Sequence, residues 1–334
     1  MFPHTKSRGI MNSTPEPDYP KYEHMTRAPS MTPATCTDAK CVSVAIATVV
    51  IFVLGVIGNG LVIWIAGFKT KKSVNTTWYL SLAVPNFLFC SFLPLFVAYF
   101  VKTDSAFRLS MRKFILFIIF LNMFSSVFLL IIISVDHCVV VMFPVWAQNK
   151  RTIRKASVVV VLAWIIAAAF SSPSAVFQHY DRNGCFIHYT SDQRAPVMSC
   201  RFVFGFLIPY LIIIFCYIVI IKKLKGNQTA KFKKSFKIMT ALIAAFFICW
   251  LPFHTFDLMI LNHHKYPYIL HTGLEIAAAF AISNSCLNPF LYVLMGKDIK
   301  KKCCALLTKI EKAFEEEDYP STREEHPTSE EGEV

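Results

Sequence analysis

The chain has 334 residues, of which 55% are hydrophobic and only 16% charged, and its mean hydropathy is +0.49. Water-soluble domains carry about 25% charged residues, so a single aqueous core cannot hide this much apolar surface. The net charge of +13 does not indicate a nucleic-acid partner, because the Lys and Arg residues cluster in short segments between apolar runs.

Residues 1–41 are polar and Pro-rich, with no apolar stretch near Met1, and are expected to be a disordered N-terminal segment without a cleavable signal peptide. The first apolar run then acts as a signal anchor. Seven stretches are long and apolar enough to span roughly 30 Å of hydrocarbon, which takes about 20 residues. In chain order they are Val42–Ala66, Val74–Phe100, Met111–Met142, Ala156–Phe177, Met198–Ile221, Phe236–Leu261 and Ile269–Met295. The predicted fold is an all-α membrane protein, a seven-transmembrane bundle over residues 42–296.

Orientation follows from the Lys and Arg bias of the loops. Lys69, Lys71 and Lys72 follow the first span, and Lys150, Arg151, Arg154 and Lys155 follow the third. Lys222, Lys223, Lys225, Lys231, Lys233 and Lys234 follow the fifth, and Lys297, Lys300, Lys301 and Lys302 the seventh. The alternate loops mix signs, so the basic side is read as cytoplasmic and residues 1–41 as extracellular. Asn12-Ser13-Thr14 is then a glycosylation sequon on the outer side, whereas those at Asn75 and Asn227 face the cytoplasm and are expected to be silent.

Residues 297–307 mix Lys with apolar residues, the pattern of a short amphipathic helix on the inner membrane surface. Cys303 and Cys304 within it are either palmitoylation sites or reduced cytosolic thiols. Residues 308–334 are read as an acidic, disordered cytoplasmic tail, with Ser321, Thr322, Thr328 and Ser329 as candidate phosphorylation sites.

Two spans carry proline hinges. Phe246-Phe247-Ile248-Cys249-Trp250-Leu251-Pro252-Phe253-His254 puts Pro252 in the sixth span, where it cannot donate to the Ile248 carbonyl and bends the helix beside a bulky Trp. Asn288-Pro289-Phe290-Leu291-Tyr292 repeats the arrangement in the seventh. Either proline alone is a tolerated kink. Together with Gly58-Asn59, Trp164, Pro209 and Tyr217, in this order, they resemble the rhodopsin-like (class A) G-protein-coupled receptors over residues 42–305.

A narrower resemblance lies in Met123–Leu130, Phe143–Arg151 and Phe170–Ser174, which look like the chemoattractant branch of that family. Ala230–Ile238 and Asn284–Pro289 are most similar to the chemerin (chemokine-like) receptors, near the formyl-peptide receptors. The formyl-peptide receptors carry an acidic residue where this chain has Phe120, so formyl-methionine recognition is not expected.

The resemblance implies a plasma-membrane receptor. Its expected partners are a peptide or small-protein ligand, a heterotrimeric G protein, arrestin and membrane lipids. The outer cavity is expected to be lined by Phe96, Tyr99, Phe120, Arg201, Phe253, His254, Asp257 and Glu275. Arg201 has two readings, an anchor for a peptide carboxylate or a side chain snorkelling to the outer interface. The expected activation switch comprises Asp136, His137, Tyr217, Phe246, Trp250, Pro252, Asn288, Pro289 and Tyr292.

Asn59, Asn86, Asn122, Ser126, Asn284 and Asn288 are polar residues placed near mid-membrane. They form either one hydrogen-bonded network or separate interhelical contacts. In the family this cluster binds sodium through an Asp where Asn86 stands here, so no cofactor is expected and the sodium site is weakened.

Two further departures from the family pattern concern the ends of the third span. Asp136-His137-Cys138 has His where the family has Arg, and His lacks the five-donor guanidinium fork. One chemerin-receptor branch shares Asp-His and couples weakly to G proteins, which raises the alternative of a scavenging receptor. The family disulfide from the top of this span is also missing: Arg112 occupies its position, 24 residues before Asp136. Cys36, Cys41 and Cys200 also lie on the outer, oxidising side; Cys185 is either free or bridged to an N-terminal cysteine, and sequence does not fix the connectivity. Neither inverted repeats nor acidic midplane residues suggest a transporter, and no metal-ligand spacing, phosphate loop or nucleophile elbow suggests an enzyme.

Overall fold

The computed structural model describes residues 39–101, 105–177, 179–180, 187–188, 191–224, 230–259, 261, 267–295 and 305. The first span is α1 (Ala39–Trp64), running directly into a π turn at Ile65–Lys69. Helices α2 (Val74–Val101) and α3 (Ser105–Met142) follow, then a short α4 (Pro144–Lys150) and α5 (Ile153–Val176). Strands β1 (His179–Tyr180) and β2 (Ile187–His188) pair antiparallel, His179 opposite His188 and Tyr180 opposite Ile187. The fifth span is composite: α6 (Ser191–Phe202), a π turn at Val203–Leu207, and α7 (Ile208–Leu224). Helices α8 (Ala230–Met259) and α9 (Pro267–Met295) are the sixth and seventh. Six of these spans are long and apolar enough to cross a membrane on their described residues, and α9 adds a shorter apolar stretch, Ile276–Leu291.

Local sequence sets the element ends. Ser73 and Thr76 cap α2 reciprocally: the Ser73 amide donates to Thr76 Oγ1 at 2.8 Å and the Thr76 amide to Ser73 Oγ at 3.2 Å. Pro144 disfavours helical geometry at the residue before it, and Phe143 sits at φ −130°, ψ 65°, breaking α3 from α4. Thr152 caps α5 by accepting from the Lys155 amide.

The distribution of polarity is inverted relative to a soluble protein. Ile57, Ile165, Phe215 and Ile276 are each more than 60% exposed, while Asn59, Asn86 and Ser285 are wholly buried. Apolar side chains outside and amides inside are what a hydrocarbon solvent selects. Helix α3 runs through the centre and packs on α2, α5, α7 and α8. Ala156, Val160, Ala163, Ala167, Ser171 and Ser174 form the buried face of α5, and their small side chains let it approach α3 closely. Gly58 has the same role between α1 and α9: a Cβ there would lie 2.8 Å from Pro289 Cβ and 2.9 Å from its Cγ. A rigid proline ring cannot give way, so Gly58→Ala is expected to cost about 1–3 kcal/mol, read as a lower melting temperature in detergent.

Candidate functional site

The outer site is built around a buried charge. Arg201, on α6, is 5% exposed and donates from Nη1 to Asp257 Oδ2 of α8 at 2.9 Å. Its Nη2 donates to Ser174 Oγ of α5 at 3.1 Å, and its guanidinium carbon lies 3.8 Å from the centre of the Phe120 ring on α3. Four helices thus converge on one guanidinium. The π turn at Val203–Leu207 inserts a residue between Arg201 and Pro209, which rotates α6 by roughly 100° relative to an uninterrupted helix. Gly205 within that turn allows the close approach, since a Cβ would stand 2.8 Å from Met123 Cε.

Snorkelling of Arg201 is overturned: the side chain turns inward and is neutralised there. A stack of rings leads down from it. Phe120 and Phe253 have centroids 6.0 Å apart, Phe253 and Trp250 5.7 Å, and Trp250 and Phe246 6.1 Å. His254 joins the stack against Trp250, Phe202 and Phe206, is 1% exposed, and has no hydrogen-bond partner on either ring nitrogen among the described residues. Phe120, Arg201, Phe253, His254 and Asp257 are therefore one site. The side chains of Phe96, Tyr99 and Glu275 lie outside the described residues. Ser174 is a member the sequence reading missed; it lies within a Ser-Ser-Pro-Ser stretch that gives no hint of facing a cation.

Two of the polar mid-membrane residues, Asn59 and Asn122, meet at Ser285. Asn59 Nδ2 donates to the Ser285 carbonyl at 2.9 Å, and Asn122 Nδ2 donates to Ser285 Oγ at 2.7 Å. Among the described residues Asn86 bonds within its own helix, to the Leu82 carbonyl at 2.8 Å, so of the two readings a single network through all six residues is not formed and the contacts centre on Ser285. Asn284 and Asn288 are buried beside them. Five buried acceptors have no hydrogen-bond donor among the described residues: Asn59, Asn86, Asn122 and Asn284 Oδ1, and Ser126 Oγ.

At the inner end, Asp136 is clamped from a neighbouring loop. Arg151 donates from Nε to Asp136 Oδ1 at 2.7 Å and from Nη2 to Oδ2 at 2.6 Å, and Trp78 Nε1 donates to Oδ2 at 3.0 Å. Asn75 Oδ1 accepts from Arg151 Nη2 at 2.6 Å. His137 is buried, its Nδ1–H donating to the Ile133 carbonyl at 2.8 Å. Tyr217 stacks on Phe236 at 4.9 Å, with its hydroxyl 3.2 Å from Thr240 Oγ1, and ties α7 to α8 at this end. Trp250, Phe246, Asn288 and Pro289 are buried beside the helix-interior prolines of α8 and α9, with Pro252 half-buried. The Tyr292 side chain lies outside the described residues, as do Asn12, Cys303, Cys304, Ser321, Thr322, Thr328, Ser329, Cys185 and the expected surface helix apart from Ala305. Cys200 is an exposed free thiol.

Residues 58–292 match the family model described as 7 transmembrane receptor (rhodopsin family). The chain is a rhodopsin-family receptor. The receptor is 43% identical over 303 residues to "Chemerin-like receptor 1" of Sus scrofa, covering 82% of this chain and 84% of that one. It is 40% identical over 334 residues to "Chemerin-like receptor 1" of Homo sapiens, covering 91% and 89%. It is also 37% identical over 281 residues to "C3a anaphylatoxin chemotactic receptor" of Oncorhynchus mykiss, covering 79% and 77%. The receptor is therefore a multi-pass membrane protein of the chemoattractant branch, and its family is one of receptors, not enzymes.

Proposed function

We propose that this receptor binds a peptide or small-protein chemoattractant of the chemerin type at the plasma membrane, with its N-terminus outside, and passes the signal to a G protein or arrestin. The observation that carries this reading is the convergence of Arg201, Asp257, Ser174 and Phe120 on the ring stack that runs through Phe253 and Trp250 to Phe246. A ligand terminus held at Arg201 reaches α8 through Asp257 and bears on Trp250 through Phe253. It thereby favours the α8-open population by its differential contacts. Arg201→Ala is expected to weaken chemerin binding at least tenfold, measured by displacement of a labelled peptide. Unchanged affinity would remove the anchor role.

A second reading, ligand scavenging with little G-protein signalling, draws support from the inner end. Arg151 fills Asp136, and the neighbouring position offers a buried His137 in place of a guanidinium. Chemerin dose–response curves for G-protein activation and arrestin recruitment in the same cells separate the readings. Scavenging requires arrestin recruitment or uptake with a flat G-protein response.

We also infer that the polar core holds water rather than a resident sodium ion. Its five unfilled acceptors are neutral oxygens, and no carboxylate among the described residues compensates a cation there. Water supplies the missing donors at no charge cost. Agonist affinity should be the same in sodium and in an organic-cation salt at equal ionic strength. Asn86→Asp should introduce a sodium-dependent loss of agonist affinity; a sodium effect already present without it contradicts the inference.

A further inference from the structure

The ion pair at the outer site has a consequence for which ligand ends it accepts, given the peptide-receptor reading above on which this rests. Arg201 and Asp257 have side chains only 5% and 7% exposed and meet at 2.9 Å. The guanidinium also has one face on the Phe120 ring and its other amino group on Ser174 Oγ. Its charge is already matched before any ligand arrives. A free carboxylate entering here would place two anions against one cation in a low-dielectric setting, where like charges disfavour each other strongly.

A ligand end without net charge leaves the site balanced. A carboxamide offers its oxygen to the guanidinium and its N–H groups to Asp257, so neither buried charge loses a partner. His254 lies one turn before Asp257 on α8 and supplies a further donor and acceptor. It is 1% exposed, and both ring nitrogens lack a partner among the described residues. A carboxylate enters only by taking Arg201 from Asp257.

We propose that Asp257 is a specificity-determining residue: it converts an anion anchor into a charge-balanced one that selects an uncharged polar ligand end over a free carboxylate. Ser174 and Phe120 hold the guanidinium in place while the exchange occurs. Removal of the Asp257 charge turns the same guanidinium into an open carboxylate site.

The test uses the full-length receptor in lipid nanodiscs and one C-terminal peptide of chemerin made in two forms, carboxylate and carboxamide. The unmodified receptor should bind the carboxamide at least as tightly as the carboxylate. Asp257→Asn keeps an oxygen for Arg201 and should shift the ratio at least tenfold toward the carboxylate. A tenfold preference for the carboxylate in the unmodified receptor overturns the proposal, as does an unchanged ratio in Asp257→Asn. The first criterion needs no variant, so it stands even if Asp257→Asn does not fold.

A failure of either peptide form to bind any of these proteins counts against the peptide reading. The selectivity is then decided by fragments, N-acetylphenylalanine and its amide, read as thermal protection of the same proteins. The amide should protect the unmodified receptor, and the anion should protect only Asp257→Asn. Protection of the unmodified receptor by the anion, or no protection by either fragment, overturns the proposal.

Discussion

Asp257→Ala is expected to lower the melting temperature of the detergent-solubilised receptor by roughly 10 °C, equivalent to about 3–5 kcal/mol. The reason is the charge left behind. Arg201 stays 5% exposed, stacked on Phe120 and bonded to Ser174, but loses the carboxylate that meets it at 2.9 Å. The pair is costly to break by halves and cheap to replace whole, because two well-packed apolar side chains avoid the desolvation of both ions. Arg201→Met combined with Asp257→Leu should therefore melt within about 1 kcal/mol of the unmodified receptor, while losing ligand. A melting curve unmoved by Asp257→Ala would mean that the two side chains do not pair. The inner pair gives the contrast. Arg151 and Asp136 are 24% and 15% exposed, so solvent screens them and their removal should cost stability much less, about 1 kcal/mol.

The seven spans were legible because lipid demands long apolar runs, and each predicted run overlaps a helix. The breaks in the backbone ladder were legible too, since Pro252 and Pro289 lie inside α8 and α9 and each removes a donor. What escaped is geometry without a residue code. The π turn at Val203–Leu207 has no composition of its own, yet it faces Arg201 inward. Arg201 and Asp257 were both visible as polar residues in outer spans, but 56 positions of chain separate them and only the fold pairs them. Ser285 lay in the Asn-Ser-Cys-Leu-Asn-Pro stretch and was passed over for its flanking amides, although its carbonyl and hydroxyl join α1 and α3 to α9. The basic loop after the third span was read as an orientation signal; one member, Arg151, is a specific clamp whose reach to Asp136 and Asn75 depends on the turn that Pro144 and α4 create.

That clamp changes what restoring the family arginine should do. His137→Arg alone is expected to raise ligand-stimulated GTP turnover only about threefold, because the inserted guanidinium finds its neighbour occupied: both Asp136 oxygens already accept from Arg151, and one also accepts from Trp78. A guanidinium that cannot rest on Asp136 has no defined resting position from which to swing toward a G protein. His137→Arg with Arg151→Ala removes the competitor and frees Asp136 to hold the new arginine. This double variant should gain about tenfold or more, near 1.4 kcal/mol in coupling, measured with purified G protein in nanodiscs. Arg151→Ala by itself separates the two contributions. It loosens α4 and leaves Asp136 with the Trp78 indole donor, so basal turnover should rise slightly with no gain in the ligand-stimulated component. Equal turnover in all four proteins would place the block to signalling elsewhere than the inner end of α3.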